Sequence, residues 1–308
     1  MHWRTTRYEI DLTRPRVMGI VNLTPDSFSD GGRHAGTRGA LAHCERLLRE
    51  GADLLDIGGE STRPGADPVS LDDELARVLP VLREAVGLGV PVSLDSYKPE
   101  VMRAALDLGV DIVNDIKALR EPGALDVVAA HATCGVCLMH MRGMEPRSMQ
   151  DGDPQYDDVV HEVGGFLGER VAAVRARGVE ARRLVLDPGI GFGKRSEHNW
   201  ALLARQRELL DLGLPLLAGW SRKGTLGRLI GRDDVSERLV ASVVAALAAV
   251  QHGARIVRVH DVAATVDALK VWRAAGLADS APAAATAGAQ SPAMSRTYFG
   301  TDGIRGTV

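Results

Sequence analysis

Short apolar runs of strand length recur along the chain, separated by segments with the period of an amphipathic helix. Eight such runs are present: Val17–Val21, Asp53–Ile57, Val90–Leu94, Asp111–Val113, Gly135–Met139, Leu184–Leu186, Leu216–Ala218 and Arg255–Val259. Eight strand–helix units spaced about 30 residues apart predict an α/β fold, namely a (β/α)8 TIM barrel that forms a single domain. A doubly wound open parallel sheet is the alternative allowed by the same pattern.

The helical segments and the amino terminus complete this outline. Asp234 and Glu237 have capping-box spacing, which predicts the start of a helix that ends before Gly253. A short strand at Tyr8–Leu12 is expected to close the floor of the barrel. Another predicted helix has its apolar face at positions three or four apart: Leu71, Leu75, Val78, Leu82 and Val86.

Composition narrows the possible functions. The 308 residues are 45% hydrophobic but only 4% aromatic, so the core is expected to be aliphatic. The formal net charge of −3 gives no basic surface for nucleic acid or an anionic membrane. Neither a membrane span nor a secretory signal is predicted, because the sequence shows neither an apolar run of about 18 residues nor a charged-then-apolar amino-terminal segment. Three cysteines, an odd number, are expected to be reduced thiols of a cytoplasmic enzyme or binding protein.

Polar residues follow the apolar runs, where a barrel builds its site. The run ends are Asn22, Asp56, Asp95, Asn114, Met139-His140, Asp187, Ser221-Arg222-Lys223 and Arg258-Val259-His260. Single residues of this kind could equally be helix N-caps. Strand alternation favours a site for the whole set, because it places Asn114, Asp187 and Arg258 on the same faces as barrel-filling Ile112, Val185 and Ile256.

Two kinds of ligand suit these residues. Asp95, Asn114, Asp187 and Lys223 combine acceptors, an amide and a cation, which suits the edge of a planar heterocycle with adjacent N–H groups. A second set suits an anion such as a phosphate, because its members lie on the loops after strands 1, 2 and 8: Asn22, Arg63, Arg258 and His260.

Two further motifs have less specific interpretations. The glycine-rich segment Asp187–Lys194 is not a P-loop, because it lacks the first glycine and ends in Lys-Arg. Its glycines are expected to let the backbone approach a flat ligand, with Phe192 as a packing surface. The spacing of His131, Cys134, Cys137 and His140 by three superficially suggests zinc, but it matches neither a strand nor a helical face, so buried thiols are favoured.

The strand-end motifs resemble those of dihydropteroate synthases, in the same order along residues 14–277. They read N-L-T-P-D-S-F-S-D-G-G from Asn22, D-I-G-G-E-S-T-R-P-G-A from Asp56, S-L-D-S-Y-K-P-E, V-N-D-I, L-M-H-M-R-G, D-P-G-I-G-F-G-K, G-W-S-R-K-G and R-V-H-D-V. The resemblance implies the TIM barrel, a homodimer, and a magnesium-assisted transferase of folate biosynthesis. Such an enzyme joins 4-aminobenzoate to 6-hydroxymethyl-7,8-dihydropterin diphosphate, by departure of diphosphate and then attack of the arylamine.

The resemblance also implies a role for each matching residue. Asp95, Asn114, Asp187 and Lys223 would bind the pterin, with Ile116 and Met139 lining its slot. Asn22 would meet Mg²⁺ or diphosphate, and the diphosphate would contact Arg63, Arg258 and His260. The aminobenzoate would be framed by Thr62, Pro64, Phe192 and Ser221. Asp95, Lys223, Arg258 and His260 are the predicted catalytic residues.

Two alternatives remain open at this point. A pterin-binding barrel of the methyltetrahydrofolate methyltransferase type shares the acidic pterin edge, but it does not need the first two motifs or R-V-H-D. A catalytically silent paralogue, retained as a binding protein, is suggested by Ser96-Tyr97, which replaces the usual small pair after Asp95 and could narrow the pocket.

The carboxyl-terminal segment differs from the rest of the chain. Residues 1–277 are expected to form the barrel, and residues 278–308 a linker and a non-folding tail. Ala278–Ala293 has the composition of a linker. Met294–Val308 resembles the amino terminus of phosphoglucosamine mutase, but 15 residues cannot form a core. This tail is therefore expected to be disordered and without activity.

Overall fold

The computed structural model describes residues 1–23, 33–61, 67–143 and 153–277, with no account of the side chains of 33–35. Eight parallel strands close into a barrel, and each lies within two residues of its predicted position. They are β3 (Arg16–Asn22), β4 (Leu54–Gly58), β5 (Val92–Asp95), β6 (Ile112–Asp115), β7 (Gly135–Met139), β8 (Leu184–Asp187), β9 (Leu216–Ala218) and β10 (Ala254–Val259). The predicted TIM barrel is confirmed, because β10 pairs with β3 and closes the sheet.

Helices surround the barrel and cover its outer face. They are α1 (Arg33–Arg49), α2 (Leu71–Ala85), α3 (Pro99–Asp107), α4 (Ala124–Ala130), α5 (Val159–Ala176), α6 (Ser196–Ala204), α7 (Gly224–Ile230), α8 (Leu239–Gln251) and α9 (Val262–Ala274). The predicted helix over 71–86 is α2, whose first turn is capped by the Ser70 hydroxyl, which accepts from the Asp73 N–H at 3.1 Å. Its Val78 and Leu82 are buried in the main aliphatic core.

A small hairpin closes the amino-terminal end of the barrel. Its strands are β1 (His2–Arg4) and β2 (Glu9–Asp11), paired antiparallel, so the predicted strand at 8–12 is present and has a partner that the sequence pattern did not indicate. Trp3 is completely buried, and its indole N–H donates to the Arg183 carbonyl at 2.8 Å. The hairpin packs on the lowest inward-facing layer of the barrel: Met18, Leu54, Ile112, Cys137, Val185, Leu217 and Ile256.

The helix predicted to start at Asp234 begins later. Val235–Arg238 is a 3₁₀ turn, and the α-helix α8 starts at Leu239 and ends at Gln251, before Gly253 as predicted. The capping-box interpretation was wrong because the Glu237 carboxylate pairs with Arg232 at 2.7 Å. Asp234 caps only the short turn, accepting from the Ser236 N–H at 2.8 Å.

Further observations bear on the expectations from composition. Cys44, Cys134 and Cys137 are free and buried, as expected for reduced thiols. Within the described ranges, no helix is both long enough and apolar enough to cross a bilayer. Residues 278–308, the predicted linker and tail, lie outside the described residues, so their separation from the barrel domain stays a prediction.

Candidate active site

The carboxyl ends of the barrel strands surround a cavity of about 390 Å³, within the range of small-molecule sites. Thr62, Arg63 and Pro64, three of the fourteen predicted site residues, lie outside the described residues. The other eleven all line the cavity: Asn22, Asp95, Asn114, Ile116, Met139, Asp187, Phe192, Ser221, Lys223, Arg258 and His260. Side chains predicted for two different ligands therefore surround one common space.

Strand alternation explains why these residues meet. In six strands, a floor residue is followed two positions later by a cavity residue on the same inward face. The pairs are Met18 and Ile20, Ile112 and Asn114, Cys137 and Met139, Val185 and Asp187, Leu217 and Gly219, and Ile256 and Arg258. The predicted face-sharing of the strand-end residues is thus confirmed.

Arg258 connects the two predicted ligand sets. Its Nε donates to Asp56 Oδ2 at 2.5 Å and its Nη2 to Asp95 Oδ2 at 2.6 Å. Burial raises the pKa of Asp95 to about 7, although the charge of Arg258 opposes this. Burial would lower the pKa of Arg258, but Asp56 and Asp95 outweigh it and raise that pKa, so the guanidinium stays charged. Arg258 and Asp95 were predicted to bind different ligands, whereas in the structure they contact each other directly.

Asp187 and Lys223 form a second charged part of the wall. Asp187 Oδ1 accepts from the Gly189 N–H at 2.7 Å, and burial raises the pKa of its carboxyl group. Burial also lowers the pKa of Lys223 to about 8, against the attraction of Asp187. The Lys223 ammonium lies 4.3 Å from the centroid of the Phe192 ring, a cation–π contact.

Ser221 and His260 tie the ends of β9 and β10 together. The Ser221 hydroxyl lies 3.0 Å from His260 Nδ1 and accepts from the His260 backbone N–H at 3.1 Å. Beside them, Arg222 has a left-handed φ of 57° and pairs with Asp261 at 2.6 Å. These bonds fix the region of the mouth where the resemblance predicts contacts with diphosphate and aminobenzoate.

The glycine-rich segment is held by a buried lysine. Lys194 Nζ lies 2.8 Å from His140 Nδ1 and donates to the carbonyls of Gly189 at 2.9 Å and Phe192 at 3.1 Å. Burial lowers the pKa of Lys194 to about 7 and, with the Lys194 charge, the pKa of His140 to about 2. A Cβ on Gly189 would lie 1.8 Å from the His140 carbonyl oxygen, so this glycine is required by the protein's own backbone.

Several residues in or next to the candidate site were not predicted from the sequence. Asp56 belongs to the strand-end series but was omitted from the predicted site. It lies two positions after buried Leu54 on β4, so its side chain is on the same inward face. Lys194 was considered only as part of a phosphate loop. Glu60, Arg228 and Arg238 line the rim of the cavity. They lie outside the barrel strands, so strand alternation cannot predict the direction of their side chains.

Tyr97, the departure noted in the sequence, does not line the cavity. Its ring packs against the buried cluster of Ile116, Met139 and Met141, and its hydroxyl donates to Glu60 Oε1 at 3.0 Å. Tyr97 therefore supports the lining from behind.

The four residues with zinc-like spacing are used separately. His131 Nδ1 accepts from the Cys134 N–H at 3.0 Å, and Cys134 Sγ lies 3.1 Å from Arg183 Nη2. Cys137 belongs to the apolar floor and His140 binds Lys194. Among the described residues, no group of three or more His, Cys, Asp and Glu side chains is arranged to hold a metal ion.

Comparison with known proteins defines the class to which this site belongs. The family described as pterin-binding enzymes matches residues 18–260, which span the barrel from β3 to the end of β10. The chain is 55% identical to dihydropteroate synthase of Neisseria meningitidis serogroup B over 280 residues, covering 89% of this chain and 98% of the relative. It is 48% identical to the Escherichia coli K12 enzyme, covering 86% and 93%.

Solved structures agree with the sequence relatives. The Xanthomonas albilineans dihydropteroate synthase with 4-aminobenzoic acid superposes with a TM-score of 0.84 at 53% identity, covering 90% of this chain and 99% of that one. The Burkholderia cenocepacia enzyme complexed with 7,8-dihydropteroate gives 0.81 at 52% identity, covering 90% and 97%. The chain belongs to the dihydropteroate synthase family, the transferases that form 7,8-dihydropteroate in folate biosynthesis.

Proposed function

We propose that the protein joins 4-aminobenzoate to 6-hydroxymethyl-7,8-dihydropterin diphosphate by a dissociative route, in which diphosphate departs before the amine attacks. The observation that supports this most directly is the cavity itself, since acceptors for a heterocycle and cations for an anion line one space. The cavity does contain a serine–histidine pair, since the Ser221 hydroxyl lies 3.0 Å from His260 Nδ1. That hydroxyl also accepts from the His260 backbone N–H, and we assign the pair to substrate binding rather than to covalent catalysis.

The pterin edge is bound by Asp95, Asn114, Asp187 and Lys223. The two carboxylates and the amide oxygen accept N–H groups, and the ammonium donates to a ring carbonyl. Because Asp95 and Asp187 are desolvated, a ligand that donates to them replaces the water they have lost. Ile116 and Met139 belong to the same apolar cluster and form the sides of the slot.

The chemical step begins when the bond between the pterin methylene carbon and the diphosphate oxygen breaks. The electron pair leaves with diphosphate, and the charge of Arg258, with donation from His260, stabilises it. The cation left on the methylene delocalises into the pterin ring, where the carboxylates of Asp95 and Asp187 favour it. The arylamine nitrogen then forms the new C–N bond and loses a proton to solvent.

The arylamine is placed by Phe192 and Ser221. Phe192 offers a ring to the aminobenzoate, while Ser221 lies on the side of the mouth formed by β9 and β10. The contributions of Thr62, Arg63 and Pro64 remain predictions, because these residues lie outside the described ranges.

Magnesium is the proposed cofactor. Asn22 lines the cavity, and its amide makes no hydrogen bond to the described residues, so its oxygen suits a hard cation. Mg²⁺ is commonly held by one or two protein oxygens plus substrate phosphates. Asn22 together with diphosphate oxygens would hold it, and when bound it supplies positive charge that neutralises the leaving group.

Diphosphate release by the purified protein tests the proposed reaction. With magnesium and both substrates, we expect equimolar diphosphate and 7,8-dihydropteroate. A methyltransferase-type barrel or a silent paralogue would release neither. Chelation of magnesium with EDTA should abolish turnover, and added magnesium should restore it.

The order of bond changes has its own test. With ¹⁸O at the ester oxygen of the pterin diphosphate and no aminobenzoate, we expect the label to scramble into non-bridging phosphate positions. Scrambling reports reversible cleavage before amine attack. An active enzyme that leaves the label in place would contradict the dissociative route.

We propose a homodimer in the cytoplasm as the working form. Apolar side chains are exposed together on α7 and α8, where Leu229 is 67%, Val240 74% and Val244 60% exposed; a second copy of the chain suits this face. The three free thiols suit a reducing compartment. Light scattering should give twice the mass of 32.9 kDa, and Val240→Glu with Val244→Glu should give the monomer. Val271→Glu on α9 is the control, and cell fractionation tests the compartment.

A further inference from the structure

Asp56 lies directly beneath the cavity and is completely buried. Its Oδ2 accepts from two residues that do line the cavity, Asn114 through Nδ2 at 3.1 Å and Arg258 through Nε at 2.5 Å. Its Oδ1 is buried with no hydrogen-bond partner among the described residues. Asp56 itself does not reach the cavity, so it can act only through its neighbours.

We propose that Asp56 is a positioning residue. Its single carboxylate orients both the Asn114 amide, which binds the pterin edge, and the Arg258 guanidinium, which binds the leaving diphosphate. This inference rests on the proposed function and deepens it, because it names the residue that determines specificity for the heterocycle.

The Asn114 amide shows the effect on specificity. A carboxylate only accepts hydrogen bonds, so the NH₂ group of Asn114 must face Asp56 and the amide oxygen must face away. That oxygen has no partner among the described residues and belongs to a side chain that lines the cavity. With Asp95 and Asp187 it forms a wall of acceptors, which selects a ligand edge that consists of N–H donors.

The Arg258 guanidinium is held in the same way. Asp56 binds Nε and Asp95 binds Nη2, so two carboxylates fix the plane of the guanidinium group. Without Asp56, Arg258 would retain only Asp95, which is itself a predicted pterin ligand. Asp56 therefore fixes the geometry in which the Arg258 cation contacts the Asp95 carboxylate.

Asp111, at the opposite end of the barrel, shows what a purely structural carboxylate looks like in this fold. It is also completely buried and paired with an arginine, Arg7, at 2.6 Å. Both of its oxygens are used, since Oδ1 accepts from the Arg7 backbone and Oδ2 from the Val92 N–H. Asp56, by contrast, has one oxygen with no partner in the described part of the chain, and both of its donors, Asn114 and Arg258, line the cavity.

The test compares Asp56→Asn with the matched control Asp111→Asn. The probes are 6-hydroxymethylpterin and 6-hydroxymethyllumazine, which has a carbonyl in place of the 2-amino group. Wild-type protein should prefer the pterin, and in Asp56→Asn we expect this preference to fall at least tenfold, with a lower kcat/KM. Asp111→Asn should lose stability and keep the preference.

A folded Asp56→Asn variant with the wild-type preference and kcat/KM would overturn the inference. An equal fall in the preference with Asp111→Asn would also overturn it, since the loss would then follow from general destabilisation of the barrel and not from the contacts of Asp56. Wild-type protein that binds neither probe and releases no diphosphate would instead contradict the proposed function.

A measurement on the unaltered chain covers the case in which Asp56→Asn fails to fold. With ¹⁵N-asparagine labelling, the Asn114 side-chain NH₂ should show one proton that exchanges slowly with solvent, both with and without 6-hydroxymethylpterin. The signal is assigned by its absence in Asn114→Ser. Fast exchange of both protons, or protection only when the pterin is bound, would show that Asp56 does not hold the amide.

Discussion

Two arginines, buried Arg183 at one end of the barrel and partly exposed Arg258 at the other, have opposite surroundings. At the floor, Arg183 donates to the carbonyls of Cys134 at 2.7 Å and Val128 at 3.1 Å and to the Cys134 sulfur at 3.1 Å, so it has no carboxylate partner among the described residues. At the mouth, Arg258 is held by the carboxylates of Asp56 and Asp95 and still lines the cavity. The floor arginine finds all of its partners inside the protein, whereas the mouth arginine keeps one side available to a ligand.

Two ionisable groups at the mouth are also available to a ligand. The pKa of Asp95 is raised to about 7 and that of Lys223 is lowered to about 8, each mainly by burial. Both groups have lost water without gaining enough protein partners to compensate, which is common at binding sites. Changes at the floor should therefore affect stability, and changes at the mouth should affect turnover.

Replacement of Arg258 should give the largest effect. For Arg258→Ala we expect kcat to fall about 100- to 1,000-fold, or about 3–4 kcal/mol in transition-state stabilisation, because a donor to the departing diphosphate is lost. The matched floor variant is Arg7→Ala, which also removes an arginine from a buried aspartate. Steady-state kinetics should show near-normal kcat for Arg7→Ala, and an unchanged kcat for Arg258→Ala would remove Arg258 from this role.

Gly189→Ala should have the second largest effect, a loss of stability. The new Cβ would lie 1.8 Å from the His140 carbonyl oxygen, so the backbone beneath Phe192 must move. Gly89→Ala is the control, because Gly89 has a similar φ of 78° and no atom within 4 Å of the added Cβ. Urea denaturation should show a loss of about 1 kcal/mol for the control and about 3 kcal/mol for Gly189→Ala. Equal losses would mean that the close approach is not limiting.

Lys194→Met tests the support of the same segment. It removes donors from the carbonyls of Gly189 and Phe192 and leaves them buried, which should cost about 2–3 kcal/mol of unfolding free energy. The KM for aminobenzoate should also rise, because Phe192 is no longer held. Lys270→Met, at an exposed ion pair, should cost less than about 0.5 kcal/mol. A Lys194→Met protein as stable as this control would contradict the assignment.

The pH dependence of stability should show the smallest effect. His140 has a pKa of about 2 in the folded protein, lowered by burial from the ordinary 6.5. Between these values the unfolded chain binds one more proton, so stability falls as the pH drops below 6.5, by up to about 1.4 kcal/mol per pH unit. His140→Asn keeps an acceptor for Lys194 but removes this proton. Its unfolding free energy should therefore fall less steeply between pH 6.5 and 5, and parallel curves for the two proteins would refute the expectation.

Much of the fold and of the site followed from the strand period alone. A residue two positions after a buried floor residue faces the same way, and this period predicts that Asn114, Asp187 and Arg258 lie together. The aliphatic runs marked the strands because both faces of a parallel barrel strand are buried.

The remaining features depend on contacts between distant parts of the chain. Strand β1 has too few residues for a detectable alternation, and it exists because Trp3 fills the floor. The ion pair between Arg258 and Asp56 spans 202 residues and could not be read from either motif. Arg228 and Arg238 reach the rim from segments after β9, where helical and turn geometry decide the direction of the side chain.

The ion pair between β4 and β10 also has a consequence for synthesis on the ribosome. Asp56 is made 202 residues before its counter-ion Arg258, a delay of about 10–40 s at ordinary elongation rates. Until β10 emerges, the nascent chain has two acidic groups, at 56 and 95, that an incomplete barrel cannot enclose without their cation. Closure of the sheet and completion of the charged cavity wall are therefore the same late event of synthesis.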